Sequence, residues 1–295
     1  MKLGAVFPTT EIGNDPVVIR DWAQTAEDLG YDHIVTFDHV LGAQHAGRNP
    51  RFFGPYTEDD PFHEPFTLFA YLAGVTTRIE LVTGVLIAPQ RQTVLIAKQA
   101  AEVDLLSQGR LRLGVGTGWN YVEYESLGLP YAERGPMLDE QVELLRKLWS
   151  EELLDYTGRY HRIDRASLLP RPQREIPIWF GAIAPVALKR AARLGDGLLL
   201  ASAPSTVEPM VAKARDLVAE NGRDPATYGM EAFIDFSYER SRWESEIELW
   251  RKLEGTHLSL RAMDTAATLV GATPVGYSGP QAYIDALREF REFVG

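Results

Sequence analysis

Short apolar runs and longer amphipathic runs alternate along this chain from end to end, and nothing else in it constrains the fold as strongly. The short runs, at 3–7, 33–37, 79–86, 111–116, 176–180, 197–201, 229–236 and 257–261, are bounded by Gly, Pro or Asp and read as strands. The longer ones, at 16–29, 65–75, 93–106, 134–149, 186–194, 207–220, 243–253 and 280–293, space their apolar residues three and four apart and read as helices. The first helix carries its own punctuation, with Asp15 as N-cap, Pro16 at N1 and Gly30 just past its end. Eight strand–helix units with no linker between them predict the α/β class: a parallel sheet closed on itself as a single (β/α)8 TIM barrel, one domain over 1–295. Two insertions interrupt the rhythm, 40–64 after the second strand and 262–279 near the C-terminus. A shorter excursion at 153–163 turns at Gly158.

Composition removes several classes of function. A net charge of −11 argues against nucleic acid and anionic membranes as partners, since both demand basic surface. No cysteine is present, so there is neither a disulfide nor a thiol nucleophile. The apolar start at Met1–Phe7 is stopped by Pro8 before it reaches the length of a secretion signal, and no run spans a bilayer. A cytoplasmic protein acting on a small molecule is the expectation.

Chemistry in such a barrel sits at the C-terminal ends of the strands. Gly114, Gly116 and Gly118 strip side chains from the end of the fourth strand, where a backbone can approach a ligand closely. Tyr121 stands where a dinucleotide fingerprint has its third glycine, so that motif is not predicted. Asp38 and His39 close the second strand, a polar pair suited to acid–base work or cofactor contact. Gly84, inside an apolar strand, marks either a bulge or a packing glycine. Gly181 and Ala182 lead from a strand into a helix whose free N–H groups suit a phosphate. Neither His-x-His nor His-Glu-x-x-His spacing occurs, and no metal site is expected.

In sequence order, these segments resemble the bacterial luciferase-like superfamily of flavin- and deazaflavin-dependent oxidoreductases. The resemblance rests on 29–33 with Asp38-His39, 83–89, 98–104, 109–120, 178–182 and 193–197, and so covers nearly the whole chain. Within it the chain is most similar to the coenzyme F420-dependent subgroup. The resemblance implies that His39 lies near the reactive carbon of the deazaflavin, with Asp38 beside the cofactor. It implies that Gly84 and Val85 form a bulge with a non-proline cis peptide behind the central ring. Thr117, Gly118, Trp119 and Asn120 match the strand end that touches the cofactor, and Gly181 and Ala182 match the amides that hold its phosphate. Luciferase has arginine for the FMN phosphate where this chain has Thr117, which favours F420 over FMN. Trp119 replaces the acidic residue of the sugar-phosphate dehydrogenase branch, which argues against that substrate. The implied activity is hydride transfer between F420 and a small organic substrate, with an FMN-dependent monooxygenase as the alternative. A homodimer is implied as well.

Overall fold

Side chains of a strand alternate between two faces, and in a closed barrel one face looks inward and the other toward the helices. That period is plain in 111–116, where Leu111, Leu113 and Val115 join the large core under the helices while Arg112, Gly114 and Gly116 face the interior. The computed structural model describes residues 1–269 and 271–295 and, at 266, 268 and 269, the backbone alone.

The elements run β1 (Lys2–Val6), α1 (Pro16–Asp28), β2 (His33–Thr36), α2 (Pro65–Val75), β3 (Glu80–Thr83), β4 (Leu86–Ile87) and α3 (Thr93–Leu106). They continue with β5 (Leu111–Gly116), α4 (Tyr121–Ser126), α5 (Arg134–Ser150), the hairpin β6 (Leu154–Thr157) and β7 (Arg162–Ala166), and β8 (Ile178–Gly181). The rest are α6 (Pro185–Leu194), β9 (Gly197–Leu200), α7 (Pro204–Glu220), β10 (Gly229–Asp235), α8 (Arg240–Lys252), β11 (His257–Arg261), α9 (Asp264–Leu269) and α10 (Pro280–Val294). Every barrel pairing is parallel, in the order β1, β2, β3, β5, β8, β9, β10, β11 and back to β1. β3 and β4 are one barrel strand broken at Gly84–Val85. The (β/α)8 barrel read from the sequence is the fold.

The broken strand departs from the continuous one read at 79–86, and the cis peptide at Gly84–Val85 lies in the break. Insertion 40–64 holds neither strand nor helix. Within 262–279 the chain forms α9 where a loop was read, and residue 270 lies outside the described residues. Among the described residues no helix is long and apolar enough to cross a membrane.

The interior is layered. At the strand N-termini, His33, Arg112, Glu231 and Ser259 form a buried ionic floor. Above it lie Val6, Val35, Val82, Trp179, Leu199 and Phe233. The upper layer brings Phe37 together with Tyr56, Phe62 and Val85. Gly197 and Gly229 leave room for the Trp179 indole, on which the Arg112 guanidinium stacks 4.2 Å from the ring centroid.

Candidate active site

β2 delivers Asp38 and His39 to the mouth, and the structure separates their roles. Asp38 is buried and fully engaged: one oxygen accepts from the Ile87 N–H at 2.9 Å and the other from Arg91 at 2.7 Å. It holds β4 against the end of β2 and presents no free oxygen. Arg91 also reaches Glu64, the N-cap of α2, so three elements meet at one guanidinium.

His39 differs. Its side chain is only 9% exposed, and Nδ1 lies 3.2 Å from Oε1 of Glu123, itself 1% exposed. Nε2 has no hydrogen-bond partner among the described residues. The ring stands edge-on to Phe62, Tyr56 and Trp119, with centroids at 4.8, 5.2 and 5.3 Å. One nitrogen is therefore fixed by a carboxylate and the other is available in an aromatic-walled pocket.

Glu123 is a polar residue of the mouth to which the sequence assigned no role. Asn120 caps α4 by accepting from the Val122 and Glu123 N–H groups, which puts Glu123 at the third helical position. An Asn-x-x-Glu spacing signals a capping box, in which the acid folds back on its own helix. Here the acid turns instead to His39, to the Val40 and Leu41 N–H groups and to the Gln90 amide. Burial pushes the Glu123 carboxyl up, but the bonds from His39, Gln90 and Leu41 outweigh it and hold it below the usual carboxylate range. Asn120, expected at the cofactor, spends its side chain on this cap and on the Leu41 carbonyl.

The glycines at the end of β5 make room first for the protein's own atoms. A Cβ at Gly114 would meet the Thr83 carbonyl, at Gly116 the Val85 side chain, and at Gly118 the Ile87 side chain at 2.8 Å. The kinked strand leans inward, and these glycines admit its atoms. Partly exposed residues gather there: Gly84, Val85, Thr117, Gly118, Trp119 and Gly181 are half-buried, whereas Ala182 is buried. No side chain caps α6, which begins just past Gly181 and Ala182. The Gly181→Ala methyl would stand 2.9 Å from Val85 Cγ1, and Val85 is too stiff to give way freely. Gly181→Ala is expected to cost about 1–3 kcal/mol, read as a lowered unfolding midpoint.

Arg48 and Arg51 lie on the insertion 40–64, which covers the mouth as a lid, and Arg134 opens α5. Arg48 and Arg51 stack on Phe52 and Phe53, and Arg134 stacks on Tyr131. Gly54 lies against the Trp119 indole, so the lid is seated on the end of β5. Among the described residues no group of three or more His, Cys, Asp or Glu side chains could hold a metal ion.

A family model described as luciferase-like monooxygenase matches residues 1–289. The chain belongs to this family. It is 34% identical over 209 residues to an uncharacterized protein of Mycobacterium tuberculosis, covering 68% of this chain and 71% of that one. It is 32% identical over 250 residues to an F420-dependent glucose-6-phosphate dehydrogenase of Nakamurella multipartita, covering 81% and 69%. Among solved structures, a monooxygenase from Streptomyces bottropensis superposes with a TM-score of 0.77 at 21% identity, covering 100% of this chain and 98% of that one. An F420-dependent secondary alcohol dehydrogenase in complex with an F420-acetone adduct gives 0.69 at 22%, covering 98% and 84%. At such identities these likenesses speak to the fold, and the family as a whole comprises flavin- and F420-dependent oxidoreductases.

Proposed function

We propose that this chain moves a hydride between coenzyme F420 and a small, uncharged organic substrate bearing a carbonyl or a hydroxyl. The observation that carries the reading is His39: a half-buried imidazole with one nitrogen on a carboxylate and the other without a partner among the described residues, in a pocket of aromatic rings. That is the arrangement of a proton donor or acceptor held ready for a substrate. The choice of F420 is supported by the 32% identity to an F420-dependent dehydrogenase over most of the chain.

The residues fit such a cofactor. The half-buried strip of Gly84, Val85, Thr117, Gly118 and Gly181 carries no long side chain, which suits a flat ring. The uncapped start of α6 has backbone N–H groups for a phosphate. When bound, F420 supplies the ring that exchanges the hydride. The chain supplies the rest. Val85 and its neighbours would support the ring, while Tyr56, Phe62 and Trp119 would keep water from the site. His39 Nε2 gives or takes the proton at the substrate oxygen. Arg91 and Arg261 beneath the mouth are already paired, with Asp38 and Glu64 and with Asp235, so neither is spare for a phosphorylated substrate.

Titrating the protein with F420 and with FMN while following cofactor fluorescence tests the choice. Saturable F420 binding without FMN binding is the expected outcome. FMN binding without F420 binding overturns it in favour of a flavin enzyme.

A further inference from the structure

We propose that Glu123 is a positioning residue that fixes the tautomer of His39, keeping a proton on Nδ1 and the Nε2 lone pair toward the substrate. The catalytic consequence rests on the role given to His39 above; the tautomer itself does not.

The inference follows from counting donors. Glu123 Oε1 faces the Val40 N–H at 2.7 Å, the Leu41 N–H at 3.2 Å and His39 Nδ1 at 3.2 Å. Oε2 faces the Gln90 amide nitrogen at 3.0 Å. Backbone N–H groups can only donate, so Oε1, facing two of them, is committed as an acceptor and carries no proton toward Nδ1. Burial at 1% exposure is tolerable for the carboxylate charge because each oxygen is hydrogen-bonded. His39 Nδ1 must then donate. In a neutral imidazole the other nitrogen is an acceptor by necessity.

Among the described residues nothing else competes for the ring. Of its aromatic neighbours only Tyr56 titrates, and burial pushes that phenol up, so it stays neutral near pH 7. Asp38, the chain neighbour, is occupied by Ile87 and Arg91. Glu123 is thus the one anion bonded to the imidazole among the described residues. The same carboxylate would stabilise the imidazolium once Nε2 takes up a proton, as an orienting acid does for the histidine of a hydrolytic triad.

Long-range 1H–15N correlation spectra of the full chain labelled with 15N-histidine read the tautomer directly. The sequence holds 6 histidines, and the His39 signals are those missing in His39→Gln. The wild-type spectrum should show the Nδ1–H form. Glu123→Leu removes the acceptor facing Nδ1 and should move His39 to the Nε2–H form or a mixture. Its turnover should fall on the order of 10²–10⁴-fold with substrate KM little changed. Glu123→Asp should recover part of both. A wild-type Nε2–H form overturns the proposal whether or not any variant folds. So does a Glu123→Leu protein whose His39 spectrum and turnover match wild type. Full turnover in His39→Ala, by contrast, would sink the reading of His39 as the proton-transfer group and leave the tautomer assignment standing.

Discussion

His39→Asn is expected to lower kcat by roughly 10²–10⁴-fold, about 3–5 kcal/mol of barrier, while cofactor affinity stays within a few-fold of wild type. Asparagine is the informative replacement because its amide can still donate to Glu123 Oε1, as Nδ1 does at 3.2 Å, so the start of the lid keeps its anchor. What disappears is the second ring nitrogen, which bonds to nothing else among the described residues. Steady-state turnover measured beside a fluorescence titration separates the two quantities. Unchanged kcat would remove His39 from the chemistry, and a parallel loss of cofactor affinity would make it a binding residue instead.

Glu231→Gln should destabilise the fold by roughly 3–5 kcal/mol, because it removes the anion from a buried cluster and leaves its cation behind. Glu231 is fully buried and accepts from His33 at 2.8 Å, Ser259 at 2.5 Å and Arg112 at 2.8 Å. Burial would raise its pKa, but the His33 and Arg112 charges outweigh burial and hold it well below the usual carboxylate range. A carboxylate depressed in this way contributes stability that is complete above its unfolded pKa of about 4.3 and lost as pH falls toward the folded value. His257, beside it, is pushed down to about 2, first by burial and then by Arg112 and His33. Unfolded, it takes up a proton below about pH 6.5, while the folded form stays neutral, so stability declines from there on acidification. Both slopes have the same sign. Denaturant midpoints should therefore fall from pH 7 to pH 5, and His257→Gln should flatten that interval. A wild-type midpoint that does not change between pH 5 and 8 contradicts this account of the barrel floor.

Local punctuation was legible in the sequence. Asp15, Pro16 and Gly30 bound α1 where they were read, and Gly30 adopts the positive φ of 80° that favours glycine. α2 begins at Pro65 and the excursion turns after Gly158 because such residues act on their immediate neighbours. The interior of the barrel was not legible to the same degree. His33 read as the first residue of a strand, yet its partners Glu231 and Ser259 stand 198 and 226 positions away. A trace of it existed: charged residues at alternate positions of otherwise apolar strands, such as Arg112 and Glu231, must face one another once the sheet closes.

At the mouth, position was readable and role was not. The sequence places Asp38, His39 and Asn120 together at strand ends, but only their hydrogen bonds show that two of them build and one stays available. The three glycines of β5 illustrate the same gap. A missing side chain marks a close approach, and whether a ligand or the protein approaches depends on how β3 bends.

Glu123 grips the insertion at Val40 and Leu41 by main-chain amides alone, so the attachment is blind to which side chains those positions carry. Beyond that hold the segment is free to diverge only where it faces away from the imidazole, since Tyr56 and Phe62 of the same segment wall the His39 ring. Anchorage is thereby written into the main chain and enclosure into a few aromatic side chains of one stretch of polypeptide.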